Sequence, residues 1–161
     1  MILILDIDDT LADPGDRARF VDKDNPTQED WDKFFDLDEM AKDTPIVEAQ
    51  VALENILPFV EDLYFLTGRP ERTRSITEDW LYMHYGFDTQ NFANLYMRTD
   101  DDRASSTEFK KKILERNIIP ETKDNTLIMI DDSEKILKMF KEFGIPIKAP
   151  EGWSAFILGK E

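Results

Sequence analysis

The chain has 161 residues, enough for one domain with a proper core and a small insertion. Its 41% apolar content, with 11 Phe, 3 Trp and 4 Tyr, excludes a disordered chain. The absence of Cys excludes disulfides, thiolate metal sites and cysteine nucleophiles, and a net charge of −15 argues against an extended nucleic-acid groove.

Leu3-Ile4-Leu5 opens a buried strand that ends in Asp6-Ile7-Asp8-Asp9-Thr10, so three carboxylates gather at its carboxyl edge. With a strand starting at Ile2, no targeting peptide is expected. No apolar run approaches the roughly 18–20 residues that span a bilayer, so a cytoplasmic protein without a membrane partner is expected. Residues 12–25 are acidic and irregular, with Pro14-Gly15. A helix is predicted near residues 27–40, opened by a Thr27/Asp30 capping box and striped by Trp31, Phe34, Phe35 and Leu37. A second helix, about 46–56, places Val47, Val51 and Leu57 on one side, and Pro58 closes it.

Leu63-Tyr64-Phe65-Leu66 is the next core strand, ending in Thr67-Gly68-Arg69-Pro70. A long helix over about 71–85 turns Ile76, Trp80 and Met83 inward and stops at Gly86. A short strand near 94–97 leads into the charged loop 98–103. Ser105 or Ser106 then caps a helix running to about Arg116. Thr126-Leu127-Ile128-Met129-Ile130 forms another strong strand, ending in Asp131-Asp132-Ser133. One more helix ends at Gly144, before an edge strand at Ile145-Pro146-Ile147. Alternating strands and helices predict an α/β fold, a doubly wound Rossmann-like parallel sheet. The single domain would cover 1–161, with a small helical cap inserted after the first strand at 12–44.

Each polar group at these strand ends has an ordinary reading. Thr67-Gly68 alone is a turn, Lys110 to Lys112 a solvated helix face, and Asp131-Asp132 a helix cap. Three of the groups, however, follow apolar strands directly. In a parallel sheet they converge on one edge, the edge where open α/β sheets bind ligands. Asp6 and Asp8 emerge on the same side because strand side chains alternate with period two. Only one lysine of 110–112 can reach such a site, because helical neighbours diverge by about 100°. Carboxylates that close repel one another unless a cation lies between them, which suggests Mg²⁺-assisted phosphoryl transfer with an aspartate nucleophile.

The order Asp6-Ile7-Asp8-Asp9-Thr10-Leu11, Leu66-Thr67-Gly68-Arg69, a Lys, and Ile130-Asp131-Asp132 resembles the haloacid dehalogenase (HAD) superfamily of Mg²⁺-dependent phosphohydrolases. A closer resemblance is to the 3′-phosphatase domain of phage-type polynucleotide kinase/phosphatases. It is carried by Thr67-Gly68-Arg69-Pro70-Glu71, Thr77-Glu78-Asp79-Trp80-Leu81, Tyr96-Met97-Arg98, Glu108-Phe109-Lys110 and Ile130-Asp131-Asp132-Ser133. Two departures stand out. No G-x-x-x-x-G-K-[ST] loop occurs, so a 5′-kinase activity is not expected. Ser106 stands four residues before Lys110, where the relatives would carry an acid.

The resemblance implies a phosphomonoesterase in which Asp6 attacks phosphorus and Asp8 serves as acid, then base. Mg²⁺ would be held by the Asp6 carboxylate, the Asp8 carbonyl and Asp131. Thr67 and the backbone around Gly68 would bind the phosphoryl oxygens, with Lys110, chosen over Lys111, offsetting their charge. Asp132 would act through a metal-bound water or the lysine. Arg69 is expected to reach the substrate phosphate or its neighbour. One of Arg17 and Arg19 would be directed at substrate, and Arg98 and Arg103 either join it or pair with the acids at 100–102. Trp31, Phe34 and Phe35 either stack on a base or simply pack their helix, and His84 carries no catalytic role. The substrate would be a nucleic-acid 3′ end. The alternatives are a small-molecule or mononucleotide phosphatase, or a receiver-like phosphoacceptor domain, whose acidic pair would precede the lysine rather than follow it.

Overall fold

The computed structural model describes residues 1–22, 24–91 and 94–157. In chain order it contains β1 (Ile2–Leu5), β2 (Ala12–Asp13), a 3-10 turn (Gly15–Phe20), α1 (Gln28–Phe34), α2 (Leu37–Met40), β3 (Thr44–Pro45) and α3 (Val47–Ile56). There follow β4 (Asp62–Pro70), α4 (Arg74–Tyr85), β5 (Asn94–Arg98), α5 (Ser106–Ile113), β6 (Leu127–Asp131), α6 (Glu134–Phe140), β7 (Ile145–Lys148) and a closing 3-10 turn (Glu151–Phe156).

Five strands pair in the order β5-β4-β1-β6-β7, every neighbour parallel. Alternation splits the β1 side chains between two cores. Leu3, Leu5 and Ile7 pack with α3, α4 and Trp153 on one face, while Ile2 and Ile4 pack with α5 and α6 on the other. Helices on both faces of a parallel sheet make the fold doubly wound, as expected. No helix among the described residues is long and apolar enough to cross a membrane. Leu5 pairs with Phe65 on one side and Ile130 on the other, so Asp6 and Asp131 leave the sheet level with each other. The Asp6 amide still donates to the Ile130 carbonyl at 3.1 Å, which fixes that height.

Beyond Asp6 the chain turns sharply. The amides of Thr10, Leu11 and Ala12 all point to the Ile7 carbonyl, and Asp9 takes φ 61°, a left-handed conformation that Asp tolerates better than most residues. β2 and β3 then pair antiparallel as the stem of an excursion carrying α1 and α2.

Three details depart from the sequence expectation. The helix over 27–40 is two helices, because the Asp36 side chain accepts from the Glu39 amide and starts a second helix. The Thr27/Asp30 capping box is present as expected. In α3 the buried face is Ala49, Ala52, Leu53 and Ile56, whereas Val47 and Val51 are exposed at 63% and 39%. Small alanines let that helix lie close to the sheet and the closing turn. In α4 the inward face is Thr77, Trp80 and Leu81, and Met83 is 75% exposed. The face is rotated because Thr77, a polar residue, is buried to accept from Arg69 (Nη1 to Oγ1, 3.1 Å).

Candidate active site

Lys110 enters the site from α5. Phe109 and Leu114 anchor that helix in the second core, and Lys110, only 3% exposed, rises to the sheet edge. Its ammonium lies 2.9 Å from Asp6 Oδ1 and 2.7 Å from Asp131 Oδ2. Lys111 instead reaches Glu115 and Glu142 on the surface, and Lys112 is exposed. Burial opposes the Lys110 charge, but the Asp131 and Asp6 carboxylates override it and raise its pKa, so it stays protonated.

Asp6, Asp131 and Asp132 offer one oxygen each within 4.8 Å of one another. Burial raises the Asp6 carboxyl well above its usual range. Lys110 counters that rise only in part, while Asp131 and Asp132 add to it. Burial and then the Asp131 and Asp9 carboxylates push Asp132 up to about 6. Once ionised, these three buried or half-buried acids outweigh the one ammonium, and their donors are all hard oxygens. That donor set fits a small divalent cation such as Mg²⁺. Asp132 thus belongs to the acidic cluster itself.

Asp8 stands beside this cluster but is held by a separate network. It accepts from Arg17 Nη2 and from Arg69 through Nε (3.1 Å) and Nη2 (2.8 Å). Both guanidiniums also bind Asp43, Arg17 at 2.7 Å from each of two nitrogens and Arg69 at 3.1 Å. Arg17, Arg69 and Asp43 are all nearly inaccessible, so two cations and two anions form a neutral buried quartet. Burial alone would raise the Asp8 carboxyl, but Arg69 and then Arg17 override it and lower it to about 2.

A carboxyl depressed in the folded state stabilises the fold above its unfolded pKa, here 3.8, and loses that contribution as pH falls toward 2. The stability difference between wild type and Asp8→Asn should therefore shrink by roughly 1 kcal/mol between pH 6 and pH 3. Urea titrations at the two pH values measure it. A constant difference would rule out the double-arginine hold.

Other expected site residues fall as follows. Thr67 is buried, and its hydroxyl accepts from the Arg69 amide at 3.1 Å. Gly68 lies on the cavity wall. Arg69 was expected to reach substrate, yet its guanidinium points to Asp8, Asp43 and Thr77. Of the two loop arginines, Arg17 turns inward and Arg19 lies exposed over the Phe20 ring. Arg98 and Arg103 both line the cavity, and Arg98 is 3.9 Å from Asp102. Asp43 was missed altogether. Neither periodicity nor a motif marks it, and its partners lie 26 residues away on either side.

The cavity measures about 610 Å³ and runs from Asp6, Lys110 and Asp131 out between α1 and the 98–106 loop. Arg17 ties α1 down: its Nη1 donates to the Phe34 carbonyl at 3.0 Å and its guanidinium lies 4.2 Å from the Phe34 ring centre.

The model of the polynucleotide kinase PNKP phosphatase domain family matches residues 1–149. The chain belongs to that family. It is a HAD-type phosphatase, a phosphoric monoester hydrolase. Solved structures share its fold. A chain of the Pnkp1/Rnl/Hen1 complex superposes with a TM-score of 0.65 at 18% identity over 92% of this chain. This chain spans only 45% of the length of that one. A haloacid dehalogenase-like hydrolase from Streptococcus pneumoniae gives 0.63 at 15% identity, over 98% of this chain and 89% of that one. CbbY from Rhodobacter sphaeroides, in complex with phosphate, gives 0.60 at 14%, over 99% and 89%. No curated protein matches in sequence. Among the residues of this PNKP-type phosphatase, the acidic cluster with Lys110 occupies the sheet edge where the strand-end motifs converge.

Proposed function

We propose that this phosphatase removes a terminal 3′-phosphate from a nucleic acid, through a phosphoryl group carried on Asp6. The observation that supports this best is the Asp6 carboxylate on the floor of an open cavity, bonded to Lys110, with Asp8 two residues along. An Asp6 oxygen attacks phosphorus and the bond from phosphorus to the sugar oxygen breaks. Asp8 gives that oxygen its proton. Water then attacks the phosphoryl group, Asp8 takes the water's proton, and inorganic phosphate leaves with Asp6 restored.

The second step uses the ionised Asp8 that the arginine pair favours. The first needs a proton on it, and an incoming doubly charged phosphoryl group beside Asp8 raises its pKa in the required direction. Arg17 and Arg69 act through Asp8, fixing where its carboxyl points. Lys110, with Thr67 and the amides near Gly68, takes up charge on the phosphoryl oxygens. Mg²⁺ would be held by Asp6, Asp131 and Asp132 with the Asp8 carbonyl, and would neutralise charge developing on the phosphoryl group. The excursion from 12 to 44 acts as a small cap that leaves the cavity open to a polymer end.

Metal binding has an expected signature of its own. Saturating Mg²⁺ should raise the melting temperature by roughly 5–10 °C at 100 times Kd, and Asp131→Asn should remove most of that rise. EDTA should abolish phosphate release, and Mg²⁺ should restore it. Full activity in metal-free buffer would exclude the cation from the reaction.

The substrate class is supported by membership of the polynucleotide kinase phosphatase-domain family and by the likeness to a chain of an RNA repair complex. A phosphate-release panel tests it, comparing 3′-phosphorylated DNA and RNA oligomers, 5′-phosphorylated oligomers, mononucleotides and sugar phosphates. The 3′-phosphorylated oligomers should be the best substrates. Since only an end is held, log(kcat/KM) should fall with log[salt] at a slope of only about −1 to −2. Mononucleotides or sugar phosphates turned over orders of magnitude faster would overturn the assignment.

A further inference from the structure

The aromatic residues of α1 and of its C-terminal cap, Phe35, divide their work. Phe34 is buried and carries the Arg17 contact that anchors the helix. Trp31 and Phe35, one turn apart, share another face. Their rings lie nearly parallel, 18° between planes and 5.9 Å between centres. Trp31 remains 37% exposed and Phe35 half-buried, and both open into the catalytic cavity. A tryptophan left this open to water keeps a hydrophobic cost that a flat apolar partner would relieve.

The facing wall carries Arg98 and Arg103. Arg98 lies over the Phe109 ring, 5.0 Å from its centre; burial lowers its pKa, Asp102 at 3.9 Å opposes that, and the Arg103 charge adds to it. Arg103 donates to the Asp100 carbonyl at 3.0 Å, but among the described residues no carboxylate lies within 4.0 Å of its guanidinium. One cavity therefore presents a phosphoryl site at its floor, a π surface on one wall and, on the other, two guanidiniums set among Asp100 and Asp102, of which Arg103 is bonded to a carbonyl rather than a carboxylate. A nucleotide has that same layout: a 3′-phosphate, a flat base and a negatively charged link on its 5′ side.

The geometry points to Trp31, backed by Phe35, as the seat of the terminal base of the substrate, with Arg98 and Arg103 receiving the next phosphodiester. This deepens the proposed 3′-phosphatase reading and rests on it. Stacking on an aromatic face tolerates any base, so the site selects for a base without selecting which one.

The experiment compares two oligomers differing only at the 3′-phosphorylated end, one bearing a base and one abasic. Wild type should favour the base-bearing end about tenfold or more in kcat/KM, mainly through KM. Trp31→Ala should bring that ratio toward one, and Trp31→Phe should retain most of it. Independently of turnover, binding of the base-bearing oligomer should quench tryptophan fluorescence, since Trp80 and Trp153 are buried while Trp31 is open. The abasic oligomer should quench little, and Trp31→Phe should lose the signal. Equal kcat/KM for the two ends in wild type overturns the base seat and leaves the 3′-phosphatase reading standing. A base preference that survives unchanged in Trp31→Ala overturns it too. Failure to act on either oligomer, with sugar phosphates hydrolysed, brings down both readings.

Discussion

Asp6→Asn should lower phosphate release by at least about a thousandfold while leaving the protein folded. An amide nitrogen is no nucleophile toward phosphorus, and the change removes one of three carboxylates that crowd the cation site. The expected effect on stability runs the other way. Burial, opposed only in part by Lys110 and reinforced by three acidic neighbours, Asp131, Asp132 and Asp8, holds the Asp6 carboxyl well above its usual pKa, so the folded state prefers its neutral form. A raised carboxyl pKa means that stability is lost as pH climbs above the unfolded value, and at neutral pH the ionised side chain is a net cost. A neutral amide of the same shape avoids that cost, and Lys110 keeps its 2.7 Å bond to Asp131. Without metal, Asp6→Asn should melt at or above wild type, and its gain from Mg²⁺ should shrink. Turnover within tenfold of wild type in a folded Asp6→Asn protein would end the covalent mechanism. A clear drop in melting temperature would show that the Asp6 charge supports the fold.

The parts of the site legible in the sequence were those tied to strand ends. Asp6, Asp131 and the Thr67-Gly68 turn each follow an apolar run. A parallel register, Leu5 beside Phe65 and Ile130, brings them to one height without further information. Helix geometry allowed only one of Lys110 to Lys112 to reach the site, and the choice of Lys110 came from its place near the helix start and from the spacing of the family it resembles. The rest depended on which charges choose each other across space. Arg69 sits next to the phosphate turn, and proximity in sequence suggested substrate. The structure turns it toward Asp8 and Asp43 instead, because a buried guanidinium needs a carboxylate more than it needs the cavity. The same network rotated α4, since burying Thr77 for Arg69 displaced Met83 from the inward face. A periodicity count weighs apolar residues and cannot see a polar one drawn inside. Nor does it mark the end of α1, where the Asp36 side chain competes for a backbone amide.

Asp43 is where that buried network should be most fragile. Asp43→Ala leaves Arg17 and Arg69 sharing Asp8 alone, with one net positive charge enclosed where the quartet was neutral. Breaking a buried ion pair by deleting one partner costs about 3–5 kcal/mol, because the remaining charge is neither solvated nor matched. For a chain of this length that corresponds to a melting temperature roughly 10 °C lower. Activity should fall as well. The Asp8 carboxyl would be drawn harder by two cations, and Arg17, freed from Asp43, would hold α1 less firmly. The charge argument makes a sharper demand on the double variant Asp43→Ala/Arg17→Met. Removing one cation with one anion restores neutrality around the Asp8–Arg69 pair, so the double variant should melt above Asp43→Ala despite carrying an extra substitution. A coupling of about 1–3 kcal/mol in the double-mutant cycle is expected. Losses that simply add would mean that the Asp43 side chain supports the fold through its packing rather than through its charge, since its backbone carbonyl bond to Trp80 is untouched by the substitution.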